Sequence, residues 1–180
     1  TDLSRIVKAY DVRGVVPDEL DPDIARALGA AFARFAKAST IVTARDMRES
    51  GVELGSAFAE GVTSQGVDIV ESGLGSTDLL YYAAGSMGIP GAMFTASHNP
   101  AKYNGIKLCL AGAKPVGQDS GLAQIRDDAQ RFLADGIPKG DKTGSITQQV
   151  VLADYAAYMK HLVPDLAGIR PLKVVVDAGN

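Results

Sequence analysis

Apolar and polar positions repeat along this chain at two periods, and each switch of period marks an element. In "DPDIARALGAAFARF" (21–35), Ile24, Leu28, Ala31 and Phe35 recur at helical spacing, behind Asp21 as N-cap and Pro22 at the first helical position. "SGVE" (50–53) has the form of a capping box, with Ser50 as cap and Glu53 three residues on. The helix it opens carries Leu54, Phe58 and Val62 on one face. "STDLLYYAAGSM" (76–87) predicts a third helix with Leu79, Leu80, Ala83 and Met87 inward. Leu122, Ile125, Ala129 and Phe132 mark a fourth over about 119–134, and Leu152, Tyr155, Met159 and Leu162 a fifth. Between the helices stand short apolar or β-branched runs: "TIVTA" (40–44), "VDIVES" (67–72), "GAMFT" (91–95), "IKLCLA" (106–111), "AKPVG" (113–117) and "LKVVVDAGN" (172–180).

This alternation predicts an α/β fold, a mixed β-sheet sandwiched between helices on both faces. "DGIPKGDKTGSIT" (135–147) is rich in Gly, Lys, Asp and Thr and reads as a linker or long surface loop. It divides the chain into a first domain, 1–138, and the truncated beginning of a second, 148–180. "LKVVVDAGN" (172–180) reads as an apolar strand followed by a Gly-containing turn; that strand needs neighbours and a following βα unit, so we expect the second domain to continue in a longer protein.

Composition narrows the classes. The chain has 180 residues, 46% hydrophobic and 22% charged, the balance of an ordinary globular protein able to bury a core without disulfides. A net charge of -3 with no basic stripe gives no expectation of nucleic-acid binding. No long apolar run predicts a membrane span, and "TDLSRIVKAYD" has no signal-peptide core. The opening residue is not Met, which suggests processing or trimming. A single cysteine, Cys109, suits a reducing cytosol, so a cytoplasmic location is expected.

Candidate chemistry concentrates in "FTASHNPAKYNGIK" (94–107). Ser97 follows a predicted strand, and ligands of open α/β sheets bind beyond strand C-termini. His98 and Asn99 offer hydrogen bonds, and Lys102 and Lys107 offer charge. Such a set suits a serine that carries a phosphoryl group, a chemistry made mostly of positioning and charge neutralisation. On composition alone a polar turn is the simpler account, since Asn104-Gly105 is a common hairpin signal. "TASHN" is not a nucleophile elbow, and His161 reads as a surface residue. A second cluster, "KAYDVRG" (8–14), holds Tyr10, Asp11 and Arg13; Arg13 could grip a phosphate, or the segment could be a charged edge strand. In a third, "ARDMRESG" (44–51), we expect Arg45, Asp46 and Arg48 to form an ion network that fixes their own loop and the helix start.

"TASHNP" followed by "KYNGIK", with "KAYDVRG", "ARDMRESG" and "VVVDAGN" in that order, resembles the α-D-phosphohexomutase family over essentially the whole chain. "KAYDVRG" is similar to the opening of its phosphomannomutase/phosphoglucomutase branch; phosphoglucosamine mutases usually open on a "GTDGIRG"-like segment. The resemblance implies the fold of that family's first three domains and a mutase that interconverts hexose 6-phosphate and hexose 1-phosphate. Ser97 would carry the phosphate and pass it through a hexose 1,6-bisphosphate. It implies catalytic roles for Ser97, His98, Lys107 and Arg13, and substrate contacts from Tyr10, Arg13, Asn99 and Lys107. It also implies one Mg²⁺, bound to Ser97 through its phosphate. The metal's carboxylates, the sugar reader and the distal phosphate site would come from domains II–IV, so these 180 residues alone should show negligible turnover. The alternatives are a phosphoglucosamine mutase and a non-catalytic phosphosugar-binding module of the same fold.

Overall fold

A computed structural model describes residues 2–163, 165 and 168–177. Its strands are β1 (Val12–Val15), β2 (Thr40–Arg45), β3 (Asp68–Leu74), β4 (Gly91–Phe94), β5 (Tyr103–Leu110), β6 (Lys114–Pro115) and β7 (Ile146–Gln148). Its α-helices are α1 (Pro22–Ala36), α2 (Ser50–Thr63), α3 (Thr77–Met87), α4 (Leu122–Asp135) and α5 (Leu152–His161). The strands form one sheet in the order β1-β5-β4-β2-β3-β7, with β6 paired to β5 off that path. β4, β2, β3 and β7 are parallel, and β5 runs antiparallel to both β4 and β1. The sheet is therefore mixed and covered by helices on both faces, as the alternation of patterns predicts.

Strand alternation sorts the core into two clusters. Ile41, Ile69, Ala92, Phe94, Ile106 and Leu108 face α1, α2 and α4. Val42, Met93 and Cys109 face α3. Asp21 caps α1 as expected, accepting a hydrogen bond from the Ile24 amide at 2.8 Å, and Ser76 does the same for Leu79 at 3.1 Å. α1 and α2 approach closely through two glycines. A Cβ on Gly29 would stand 2.2 Å from the Phe58 carbonyl oxygen, and one on Gly61 only 2.0 Å from that of Arg26. Phe58 lies between the Phe32 and Phe94 rings, at centroid distances of 6.3 and 5.4 Å. Phe94 ends β4, so this helix pair is packed against the strand that leads to Ser97. Cys109 is buried in β5, and burial pushes its thiol up to about 11.

Several local expectations give way to long-range contacts. Ser50 is the first residue of α2 rather than its cap, and its hydroxyl accepts a hydrogen bond from Asn104 Nδ2 at 2.9 Å. Asn104 and Gly105 lie inside β5 and make no hairpin turn. Glycine is required at 105 because a Cβ would stand 2.3 Å from the Val12 carbonyl oxygen of β1. The segment read as a linker ends in β7, which pairs with β3. There the Asp68 carboxylate accepts hydrogen bonds from both the amide and the hydroxyl of Ser145. α5 leans on α3 through Tyr155 and Tyr158, whose centroids lie 5.6 and 5.1 Å from that of Tyr82. Leu152, Met159 and Leu162 remain exposed, so the predicted apolar face is covered only at Tyr155. Residues 172–176 form no strand; among the described residues none pairs with them, and an unpaired run does not hold sheet geometry. The rest of that predicted turn, 178–180, lies outside the described residues. No helix among the described residues is long and apolar enough to cross a membrane.

Candidate active site at the Ser97 loop

β4 delivers the chain to Thr95, whose amide donates to the Gly105 carbonyl at 3.0 Å. The Thr95 hydroxyl donates to Asp46 Oδ2 at 2.7 Å and accepts from the Ser97 amide at 3.0 Å. The Asn99 amide donates to the Ala96 carbonyl at 3.0 Å and closes the turn. Within it Ser97 adopts φ +53°, the left-handed region that is uncommon for a residue with a side chain. Its hydroxyl stands exposed, with Oγ 3.3 Å from His98 Nδ1. The backbone is thus held from below while the hydroxyl faces solvent beside the His98 ring.

Arg48, at the N-terminal side of α2, supports this loop. Nη1 donates to the carbonyls of Pro100 and Tyr103, both at 2.9 Å. Nη2 donates to those of Ser97 at 2.8 Å and Asn99 at 2.7 Å. Only 8% of the side chain is exposed. Its Nε lies 3.3 Å from Asp46 Oδ2, an ion-pair contact outside hydrogen-bond alignment. Asp46 Oδ1 also accepts from the Arg48 amide at 3.0 Å, so one carboxylate secures both Arg48 and Thr95.

A second group approaches from β1 and β5. Asp11 is buried, and its Oδ2 pairs with Arg13 at 2.6 Å and with Lys107 at 3.4 Å. Arg13 Nη1 in turn donates to Asn99 Oδ1 at 3.1 Å, while its Nε is buried with no hydrogen-bond partner. Register explains the meeting. Val12 pairs with Ile106, which makes Asp11 and Lys107 cross-strand neighbours and sets Arg13 opposite Gly105.

Of the residues singled out in the sequence, Ser97 and His98 are in contact, Arg13 and Asn99 are in contact, and Lys107 joins them through Asp11. Tyr10 is not drawn in; it is 78% exposed and lies beside Gly117. Of the ion network expected in "ARDMRESG", only the Asp46–Arg48 pair forms, and it secures the Ser97 loop as well as its own; Arg45 makes no ion pair among the described residues and donates only to the Asp46 backbone carbonyl at 3.5 Å. Arg48, Asp46, Thr95 and Asp11 are what sequence reasoning left out of the site. Their one signal was membership of polar clusters near strand ends.

The cavity beside the loop, about 620 Å³, is lined by Ser97, His98, Asn99, Arg48, Ser50 and Lys102 among others. Lys102 lines it beside Glu49, and Arg13 and Lys107 approach it through Asn99 and Asp11, a mostly cationic surround that suits an anion at Ser97. A metal ion fits these residues poorly. Among the described residues no three of His, Cys, Asp and Glu are grouped to hold one, and Asp11 and Asp46 are already engaged by cations.

Comparison with known proteins places the chain in a family. The family model described as phosphoglucomutase/phosphomannomutase, alpha/beta/alpha domain I, matches residues 4–135. A phosphomannomutase of Escherichia coli (strain K12) is 39% identical over 177 residues, covering 96% of this chain. Phosphohexose mutases of Xanthomonas campestris pv. campestris are 38% identical over 176 residues, also covering 96% of this chain. The chain spans 38% of the length of each of these relatives. The crystal structure of a phosphoglucomutase/phosphomannomutase family protein from Burkholderia thailandensis superposes with a TM-score of 0.71 at 36% identity, covering 83% of this chain and 34% of that one. These matches show that the chain belongs to the phosphoglucomutase/phosphomannomutase family, with residues 4–135 matching its alpha/beta/alpha domain I.

Proposed function

We propose that this chain is the phosphate-carrying part of a phosphohexomutase that interconverts hexose 6-phosphate and hexose 1-phosphate, with mannose phosphate among its substrates. The observation that carries the proposal is the free Ser97 hydroxyl on a left-handed, fully braced turn, 3.3 Å from the His98 ring. The relatives named phosphomannomutase support the sugar class.

In the forward half-reaction the bond from phosphorus to Ser97 Oγ breaks as a bond forms to the free sugar hydroxyl. That hydroxyl loses a proton and Oγ gains one, giving a hexose 1,6-bisphosphate. After the sugar turns over, Oγ attacks the other phosphorus. It loses its proton, and the ester oxygen that leaves takes one up, so protons balance over the cycle. His98, nearest to Oγ, exchanges the proton there. Arg13 and Lys107, both fixed by Asp11, supply stationary positive charge to the moving phosphoryl group. Asn99 fixes Arg13, and exposed Tyr10 is free to meet the substrate. The carboxylates for magnesium, the sugar reader and the second phosphate site belong to further domains, so the 180 residues alone turn over negligibly.

The test is the intact mass of the full-length protein after incubation with glucose 1,6-bisphosphate. One added phosphate, located at Ser97 and absent in Ser97→Ala, is expected. No uptake, or uptake that survives Ser97→Ala, overturns the proposal and leaves a phosphosugar-binding module.

A further inference from the structure

The four carbonyl oxygens that converge on Arg48 have a consequence for the opposite side of the loop. A trans peptide sets its C=O and N–H in opposite directions. The one cis bond among the described residues is Val16-Pro17, so every peptide of the loop is trans. The Ser97 carbonyl turned toward Arg48 therefore points the His98 N–H away from it. The Pro100 carbonyl, held by Arg48 and also by the Tyr103 amide at 2.9 Å, does the same for the Ala101 N–H. The Asn99 carbonyl is followed by Pro100, which has no N–H to present. Among the described residues the His98 and Ala101 amides have no hydrogen-bond acceptor, although both belong to the cavity that Ser97 lines.

We propose that Arg48 is the positioning residue of the phosphate-carrying loop. By collecting four carbonyl oxygens on the inner side, it turns the His98 and Ala101 N–H groups outward as donors to the phosphate on Ser97. The same contacts keep carbonyl oxygens away from a dianion that they would repel. Arg48 itself is spent on the backbone and need not touch the phosphate. A guanidinium suits this task because two terminal nitrogens, each with two N–H bonds, reach four acceptors in a fixed plane. Lysine offers one nitrogen with three donors and cannot hold both pairs of carbonyls.

This assignment rests on Ser97 being the phosphate carrier, so the experiment begins with the full-length wild-type protein. Uptake of phosphate from glucose 1,6-bisphosphate at Ser97 secures that premise, and no uptake removes the premise and this proposal together. Given uptake, Arg48→Ala and Arg48→Lys are compared with wild type for phosphorylation rate, KM for the bisphosphate and thermal midpoint. A rate roughly 100-fold lower is expected for both, the scale of a 1 Å misplacement of reacting groups, with KM nearly unchanged. Low-millimolar guanidinium ion restores part of the rate in Arg48→Ala, whereas it would only weaken a variant that is merely unstable. A wild-type rate in either variant overturns the proposal. So does loss of the folded state in both, which would make Arg48 a stabilising residue only, and so does a folded Arg48→Ala that guanidinium leaves inactive. Should Arg48→Ala alone fail to fold, the Arg48→Lys rate and KM decide.

Discussion

On one face of the sheet α1, α2 and α4 bury a continuous core that includes Phe32, Phe58, Leu28 and Ile125; on the other, α3 covers a smaller cluster and α5 rests on it through tyrosine rings. The site draws on both. Phe94, the last residue of β4, points into the thick layer, where the Phe58 ring meets it edge-on at 80°. Lys107 pairs across the strands with Met93 and so stands on the thinner side, together with its neighbour Asp11. The thick layer thus fixes the backbone that presents Ser97. The thinner one carries the charged groups, where Asp11 is buried between Arg13 and Lys107, the two cations that offset the cost of burying its charge.

Cutting into the thick layer should have the largest effect. Phe58→Ala removes the ring shared by Phe32 and Phe94 and is expected to cost about 3–5 kcal/mol in denaturant unfolding. Leu80→Ala, fully buried under the thinner side, should cost less, about 2–3 kcal/mol. A Leu80 variant as damaging as the Phe58 one would break the comparison. The smallest effect belongs to the rim, where Ser145 hydrogen bonds hold the Asp68 carboxyl below its ordinary value of 3.8 and so favour its charged form. This contribution is present above pH 3.8 and is lost as pH falls through the lowered folded value. The Ser145 amide should therefore lose exchange protection on acidification, and Asp68→Asn should lose it at neutral pH with the midpoint of global unfolding scarcely moved. A global shift would mean that β7 belongs to the core and not to the rim.

What the sequence made legible was whatever is decided within one turn or one strand. Asp21-Pro22 announces its helix because a cap acts on an amide three residues away. Ser97, His98, Asn99, Arg13 and Lys107 stand in compact motifs. The misreadings share the opposite property. Ser50 has the form of a cap, but Asn104 takes its hydroxyl from 54 positions away. Asn104-Gly105 has the form of a turn, but the neighbouring backbone of β1 demands the glycine. β7 is three exposed residues behind a glycine-rich run, too short for a period to show. Arg48 reaches carbonyls 49 to 55 positions on, and Asp11 reaches Lys107 across 96, separations at which no spacing rule operates.

The single thiol of this chain offers an independent clock. Cys109 is sealed in β5, two positions from Lys107, and burial raises it to about 11, so at neutral pH it is both shielded and protonated. An alkylating reagent can mark a molecule here only while β5 stands open, and each mark is permanent. Counting marked molecules over time would therefore record how often β5 comes away from its neighbours, without any substitution.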